Sequence, residues 1–234
     1  MRTFAFVFAR GGSKGLPRKN IKPLRGKPLL CYSIELAQQL PEVEQVFVST
    51  EDADIASTAQ AAGAIVIERP AELATDTSAE FLAWRHAVDW VEQHYGQFDH
   101  FVSLPATAPL RSKEDVQAAL LKLQQTGADI CVSMTPAQRS PYFNMVRQQP
   151  DGLVDIAIKD NGQLIRRQDA PELFDLTTVV YATSPAYIRQ SAGVLTGKVT
   201  AVIIPKQRAV DIDDIYDFML AEVLLSATDF NKNQ

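Results

Sequence analysis

The stretch ARGGSKGLPRKN, residues 9–20, gathers the residue types that hold phosphate. Gly11, Gly12 and Gly15 let a backbone turn tightly and aim N–H groups inward, while Arg10, Ser13 and Lys14 add side-chain donors for anionic oxygens. Basic residues crowd this whole end of the chain. From Met1 to Ile34 there are eight Lys or Arg and no acid, although the 234-residue chain carries 23 bases against 28 acids. Like charges so close repel one another unless an anion offsets them. The spacing matches neither G-x-x-x-x-G-K-[ST] nor G-x-G-x-x-G opening straight into a helix, and Pro17 and Pro23 postpone the next helix to about Lys27. A solvated basic turn is the plainer alternative.

A second set of chemical groups lies far along the chain, in VDIDDIYDF. Asp211 and Asp213 alternate with Ile212, so an extended backbone turns both carboxylates to one face. Hard paired oxygens suit Mg²⁺, which keeps several waters while bridging to phosphate. Asp213 and Asp214 also precede a helical pattern and complement its dipole, a reading that accounts for Asp214 and leaves Asp211 unexplained.

The elements that must position these groups alternate. Apolar runs TFAFVFA, QVFVST, AIVIE, HFVSL, DICVSM and VTAVII read as strands buried on both faces. Helical patterns lie between them at Pro28 to Leu40, Ala53 to Ala62, Ser78 to Tyr95 and Ser112 to Gln125, with a closing helix from Asp214 to Ala227 and a frayed tail TDFNKNQ. The expected fold is α/β, a three-layer αβα Rossmann-like, mostly parallel sheet. Phe81, Trp84, Val88 and Val91 recur at helical spacing and read as core. After Met134 the regularity lapses, and residues 136–175 read as an insertion within a single 1–234 domain.

Composition excludes several classes. Net charge −5 argues against a nucleic-acid partner, and no apolar run reaches the ~18 residues of a membrane span. Met1 leads directly into a strand pattern, which predicts a cytoplasmic protein, and Cys31 and Cys131 read as buried free thiols. His86, His94 and His100 fit no metal spacing.

ARGGSKGLPRKN resembles the first motif of the CMP-sialic acid synthetases, or acylneuraminate cytidylyltransferases. The likeness continues at VSTEDADIA, RPAELATDTSAE, LPATAPLR, RRQDAPELF and AVDIDDIYDF, six segments in family order. The resemblance implies transfer of CMP from CTP to the anomeric hydroxyl of a nine-carbon α-keto acid sugar, with pyrophosphate released. It assigns CTP to Arg10, Gly11, Gly12, Ser13, Lys14, Lys19, Asn20, Arg69, Asp76, Ser78 and Thr107, although Ser78 is equally an N-cap. Mg²⁺ would sit on Asp211 and Asp213. Arg10, Lys14, Lys19 and Asp211 would carry the catalysis, Asp211 helping the hydroxyl lose its proton. Arg167 aligns near the acceptor carboxylate. Pro105 stands where some sialic acid enzymes have glutamine, and Phe143 where some have lysine, so a legionaminic, pseudaminic or Kdo-type keto sugar is the alternative acceptor. A nucleotide-binding protein of the same fold without catalysis is the alternative from another class. Residues 136–175 would be the sub-domain through which homodimers form.

Overall fold

A computed structural model describes residues 1–75, 79–159, 164 and 166–232. The first strand, β1 (Thr3–Phe8), leads through the basic loop to a small hairpin, β2 (Pro23–Leu24) and β3 (Lys27–Pro28), before α1 (Leu29–Gln38). The helix opens at Leu29 rather than Lys27 because Arg25 and Gly26 turn with positive φ, 49° and 81°, and close the hairpin first. Next come β4 (Val43–Thr50), α2 (Ala53–Ala61), β5 (Ile65–Glu68), α3 (Glu80–Tyr95) and β6 (His100–Ser103). After α4 (Lys113–Thr126) and β7 (Ile130–Pro136), the chain forms β8 (Val146–Gln148) and β9 (Val154–Ile156). It closes with β10 (Phe174–Thr183), α5 (Pro185–Gln190), β11 (Val199–Ile203) and α6 (Ile215–Lys232). That last helix passes the Ala227 end expected from sequence, since residues 228–232 hold neither Gly nor Pro to break it.

Seven strands form one sheet in the order β11-β7-β10-β6-β1-β4-β5. β10 runs antiparallel to both neighbours, and the remaining pairs are parallel. The expected three-layer α/β sandwich is thus present. From β1 the chain moves outward to β4 and β5, then returns to place β6 on the other side of β1. That reversal leaves a crevice at the carboxyl ends of β1 and β6, where ligands bind in open α/β sheets.

Two cores sandwich the sheet. On one face Leu30, Ile34 and Ala37 of α1, Ile55 and Ala59 of α2, and Val116, Ala119 and Leu120 of α4 are buried against Ala5, Val7, Val48 and Val102. On the other, α3 contributes Phe81, Trp84, Val88 and Val91 to a cluster with Phe4, Phe6, Phe47 and Phe101. Phe6 and Phe101 stack at 4.3 Å, and Trp84 lies 5.1 Å from Phe101. Such ring pairs contribute beyond their buried area. A third cluster is smaller but joins the chain's ends: Leu16, Leu24 and Leu29 pack with Ile212, Phe218 and Ala221. Both cysteines are free and buried.

The described residues between β7 and β10 lie outside the main sheet, and among them β8 and β9 pair as a separate two-stranded ribbon. On and beside it several apolar residues are exposed: Met145, Val146, Leu153, Val154 and Ile158.

Local capping fixes the turn between β4 and α2. Asp52 accepts from the backbone N–H groups of Asp54 and Ile55, each at 3.0 Å, and from the Arg18 guanidinium. Burial opposes its ionisation, but these three donors prevail and hold its pKa below the usual carboxylate value. Stability from Asp52 is therefore present above the ordinary Asp pKa and lost as pH falls through the depressed one. Asp52→Ala is expected to cost about 1–2 kcal/mol in urea unfolding at pH 7. The gap to wild type should narrow as the buffer is taken below about pH 4.

Candidate active site

The loop after β1, the loop after β6 and the segment before α6 surround an open cavity of about 380 Å³. From the basic loop, Arg10, Ser13, Lys19 and Asn20 line it. Asn20 Nδ2 donates to the Arg10 carbonyl at 2.9 Å, which folds the loop back on itself. Lys19 is 8 % exposed. Its Nζ donates to the Ile212 carbonyl and, at 3.1 Å, to Asp213 Oδ1.

The glycines serve this loop differently from the sequence expectation. None of Gly11, Gly12 or Gly15 has positive φ, whereas Arg18 does, at 56°. Close approach is the constraint instead. A Cβ on Gly11 would meet Asp52 Oδ2 at 2.5 Å, and one on Gly15 would meet the Asp213 carbonyl at 2.3 Å. Gly11 N–H donates at 2.7 Å to Glu51 Oε1, so here that donor meets a carboxylate of the chain itself.

Ile212 turns into the third core cluster and is fully buried, while Asp211 and Asp213 on either side line the cavity. Ile212 N–H donates to the Thr107 carbonyl at 2.8 Å, tying the acidic segment to the loop after β6. Burial pushes the Asp211 carboxyl above its usual pKa, and the neighbouring Asp213 adds to the rise. Thr107, Thr178 and Lys19 act against it. Among the described residues no cluster of three His, Cys, Asp or Glu forms a complete metal cage. Two carboxylates beside the Thr107 and Thr178 hydroxyls, Lys19 on one of them, fit a hard cation that retains water and shares phosphate oxygens.

Behind these groups lies a layer of buried arginines. Arg69 Nε donates to Ser49 Oγ at 3.1 Å and Nη2 to the Ser49 carbonyl at 2.6 Å. Burial lowers its pKa, opposed by the charges of Glu51 and Glu80. Arg111 is more deeply enclosed. Burial brings its guanidinium down to about 9, with Asp115 and Asp211 pulling the other way. It donates to Ser33 Oγ at 2.6 Å and to the Pro105 carbonyl, which fixes the loop carrying Thr107. Asp115, the capping partner of Ser112 at the start of α4, accepts both nitrogens of a bidentate Arg208, at 2.9 and 2.8 Å. Arg208 stands just before the acidic segment, so α4 is the shared brace for both loops.

Of the residues singled out from sequence, Arg10, Ser13, Lys19, Asn20, Arg69, Pro105, Thr107, Asp211 and Asp213 share this cavity. Gly11 and Gly12 shape the loop without lining it, and Lys14 and Phe143 are not among the lining residues. Arg167 begins a 3-10 turn, Arg167–Asp169, in the irregular segment. Asp76 and Ser78 lie outside the described residues. Phe8, Glu80, Ala83, Thr178 and Tyr181 line the cavity without having been anticipated. Phe8 sits in an apolar strand run, and Glu80 closes the RPAELATDTSAE segment without having been given a role, so neither was placed on the cavity beforehand.

Comparison with known proteins places the chain in a family. A family model described as cytidylyltransferase matches residues 4–190. The chain is 32% identical over 221 residues to the post-translational flagellin modification protein B of Campylobacter coli, covering 94% of this chain and 93% of that protein. It is also 32% identical over 222 residues to the CMP-N,N'-diacetyllegionaminic acid synthase of Campylobacter jejuni, with the same coverage of 94% and 93%. A solved CMP:2-keto-3-deoxy-manno-octonic acid synthetase, complexed with CTP, superposes with a TM-score of 0.70 at 16% identity, over 97% of this chain and 100% of that one. That last likeness concerns the fold alone.

The raised pKa of Asp211 carries a stability consequence. The native state holds the Asp211 proton to higher pH than the unfolded chain, so stability falls as pH rises from the unfolded carboxylate pKa, near 4, through the raised native one. In metal-free buffer at pH 7, Asp211→Asn should therefore melt at a higher temperature than wild type, and the two should converge below about pH 4 in calorimetric scans.

Proposed function

Because the chain belongs to the cytidylyltransferase family, we propose that it transfers CMP from CTP to the anomeric hydroxyl of a nonulosonic acid and releases pyrophosphate. One observation carries this reading: the cationic loop and the paired aspartates, some 190 residues apart in sequence, meet at Lys19 and Asp213, 3.1 Å apart, on one cavity. A nucleoside triphosphate needs cationic donors along its tail and stabilisation of the charge that gathers on the leaving pyrophosphate. Arg10, Ser13, Lys19 and Asn20 supply those donors. Asp211 and Asp213 would hold Mg²⁺, which when bound neutralises phosphate charge and orients the phosphate oxygens.

The chain's own part in the reaction is positioning and proton transfer. Arg111 and Asp115 hold the loop after β6 and the acidic segment in fixed relation, so that the acceptor hydroxyl faces the α-phosphorus. Asp211, whose desolvation makes it a stronger base than a solvated carboxylate, accepts the hydroxyl's proton as the oxygen attacks phosphorus in line. The bond to pyrophosphate breaks in that same displacement, and no covalent enzyme intermediate is required.

Among nonulosonic acids we favour the legionaminic and pseudaminic types over N-acetylneuraminate. Pro105 lines the cavity without a hydrogen-bonding side chain, and its carbonyl is already engaged by Ser33 and Arg111. The similarity to a diacetyllegionaminic acid synthase points the same way. A cytoplasmic location and a homodimer belong to the same proposal. The exposed apolar residues of the β8–β9 ribbon and of α6, Tyr216, Met219 and Val223, give a second copy surface to cover.

Incubation with CTP, Mg²⁺ and a panel of keto acids should release pyrophosphate with a nonulosonic acid. Binding of CTP without turnover of any acceptor would favour a non-catalytic nucleotide-binding protein. Asp211→Ala at saturating Mg²⁺ should lower kcat by about 10²-fold or more, and near-wild-type turnover would remove Asp211 from the mechanism. Sedimentation should give twice the 25.8 kDa chain mass. Val154→Asp should shift that equilibrium to monomer while leaving the far-ultraviolet circular dichroism unchanged.

A further inference from the structure

On the α3 side of the sheet the cavity changes character. Phe8, Ala83 and Tyr181 line it, and beneath them lies Trp84, 1 % exposed, 6.1 Å from Phe8 and 5.6 Å from Tyr181. This aromatic shelf has no use for phosphates. A flat apolar surface beside a few polar groups suits the C–H face of a sugar ring.

Glu80 stands at the edge of that shelf, in the first turn of α3. Trp84 Nε1 donates to its Oε1 at 3.2 Å, which fixes the carboxyl over the shelf. Among the described residues Oε2 accepts no hydrogen bond. Glu80 is exposed and lines the cavity wall. Desolvation pushes its pKa upward, the Trp84 bond and the Arg69 charge oppose the rise, and Asp211 adds to it. Tyr181 faces the same space: burial raises its hydroxyl's pKa, with the charges of Glu80 and Asp211 adding to the effect. No hydrogen-bond partner for that hydroxyl is found among the described residues. A carboxyl here repels the phosphates and carboxylate that the cavity otherwise attracts, so charge balance with CTP does not account for it.

We propose that Glu80 is a specificity-determining residue whose free carboxyl oxygen accepts a hydrogen bond from an O–H or N–H group of the acceptor sugar lying on the Phe8, Trp84 and Tyr181 shelf. The inference rests on the nonulosonic acid reading above and names where that acceptor sits. It places sugar recognition on α3, opposite in role to the basic loop, which serves the nucleotide. A site that hydrogen-bonds its substrate rejects analogues lacking the group, because the carboxyl is then left desolvated and unpaired.

The test is steady-state kinetics of wild type, Glu80→Gln and Glu80→Ala, with CTP and acceptor varied in turn and each variant's melting temperature recorded. Glu80→Ala should raise the acceptor KM at least tenfold while the KM for CTP stays within twofold. Glu80→Gln, which keeps a carbonyl acceptor at that place, should recover most of the loss. An acceptor analogue with the donor group removed should bind Glu80→Ala at least as tightly as it binds wild type, because only wild type leaves a carboxyl unpaired against it. If instead the KM for CTP rises and that for the acceptor does not, Glu80 serves only as a counter-charge to Arg69 and the proposal fails. A lowered melting temperature with both KM values unchanged makes Glu80 a helix-end residue and overturns it equally. Turnover of no acceptor by wild type would overturn the underlying reading and the proposal together.

Discussion

Burial of Ile212 is the constraint on which the site depends. Its side chain fills a cluster built from the first thirty residues, Leu16, Leu24 and Leu29, together with Phe218 and Ala221 of the last helix. Its two neighbours are therefore turned to the cavity, because an extended segment that buries one residue exposes the next on either side. The backbone groups of Ile212 are used as well, the N–H by the Thr107 carbonyl and the carbonyl by Lys19 Nζ. One apolar residue thus sets the position of both carboxylates relative to the basic loop and to the loop after β6.

Electrostatics then decides what this junction can hold. Seven bases lie between Arg10 and Lys27, and several of them are paired with acids of the chain. Arg18 reaches Asp52 and Asp54, Lys27 reaches Glu35, and Lys19 reaches Asp213. Arg10 and Lys19 remain on the cavity wall beside Arg69, facing Asp211 across a space that a magnesium-bound triphosphate would neutralise in both senses. Asp211 and Arg111 are both held largely out of water, against the preference of their charged forms. Burial of a carboxylate and of a guanidinium costs stability locally, and groups held in this way cluster at functional sites.

The fold was largely legible in the chain. Buried parallel strands must be apolar along their whole length, so TFAFVFA, QVFVST and HFVSL announced themselves, and helical spacing marked Phe81, Trp84, Val88 and Val91. Less legible were the small hairpin at Pro23 to Pro28, set by a non-glycine residue at positive φ, and the continuation of α6 beyond Ala227. In the site, Arg10, Lys19, Asp211 and Asp213 were visible because charged residues there are numerous and oddly placed for a solvated surface. Arg111, Asp115 and Arg208 escaped notice as a unit, since their partnership spans 93 positions between Asp115 and Arg208 and has no local pattern.

Sequence by itself determined the two chemistries, cationic at one end and acidic at the other, and the alternating elements between them, because composition and periodicity are local properties of the chain. Tertiary structure alone decided that these ends meet. It decided that Gly15 is small because the Asp213 carbonyl lies against it, and that Glu80 with Phe8 and Tyr181 forms a second wall of the cavity. Those facts follow from how one buried isoleucine and one sheet reversal bring distant segments within a few ångströms, and no local pattern records such a distance.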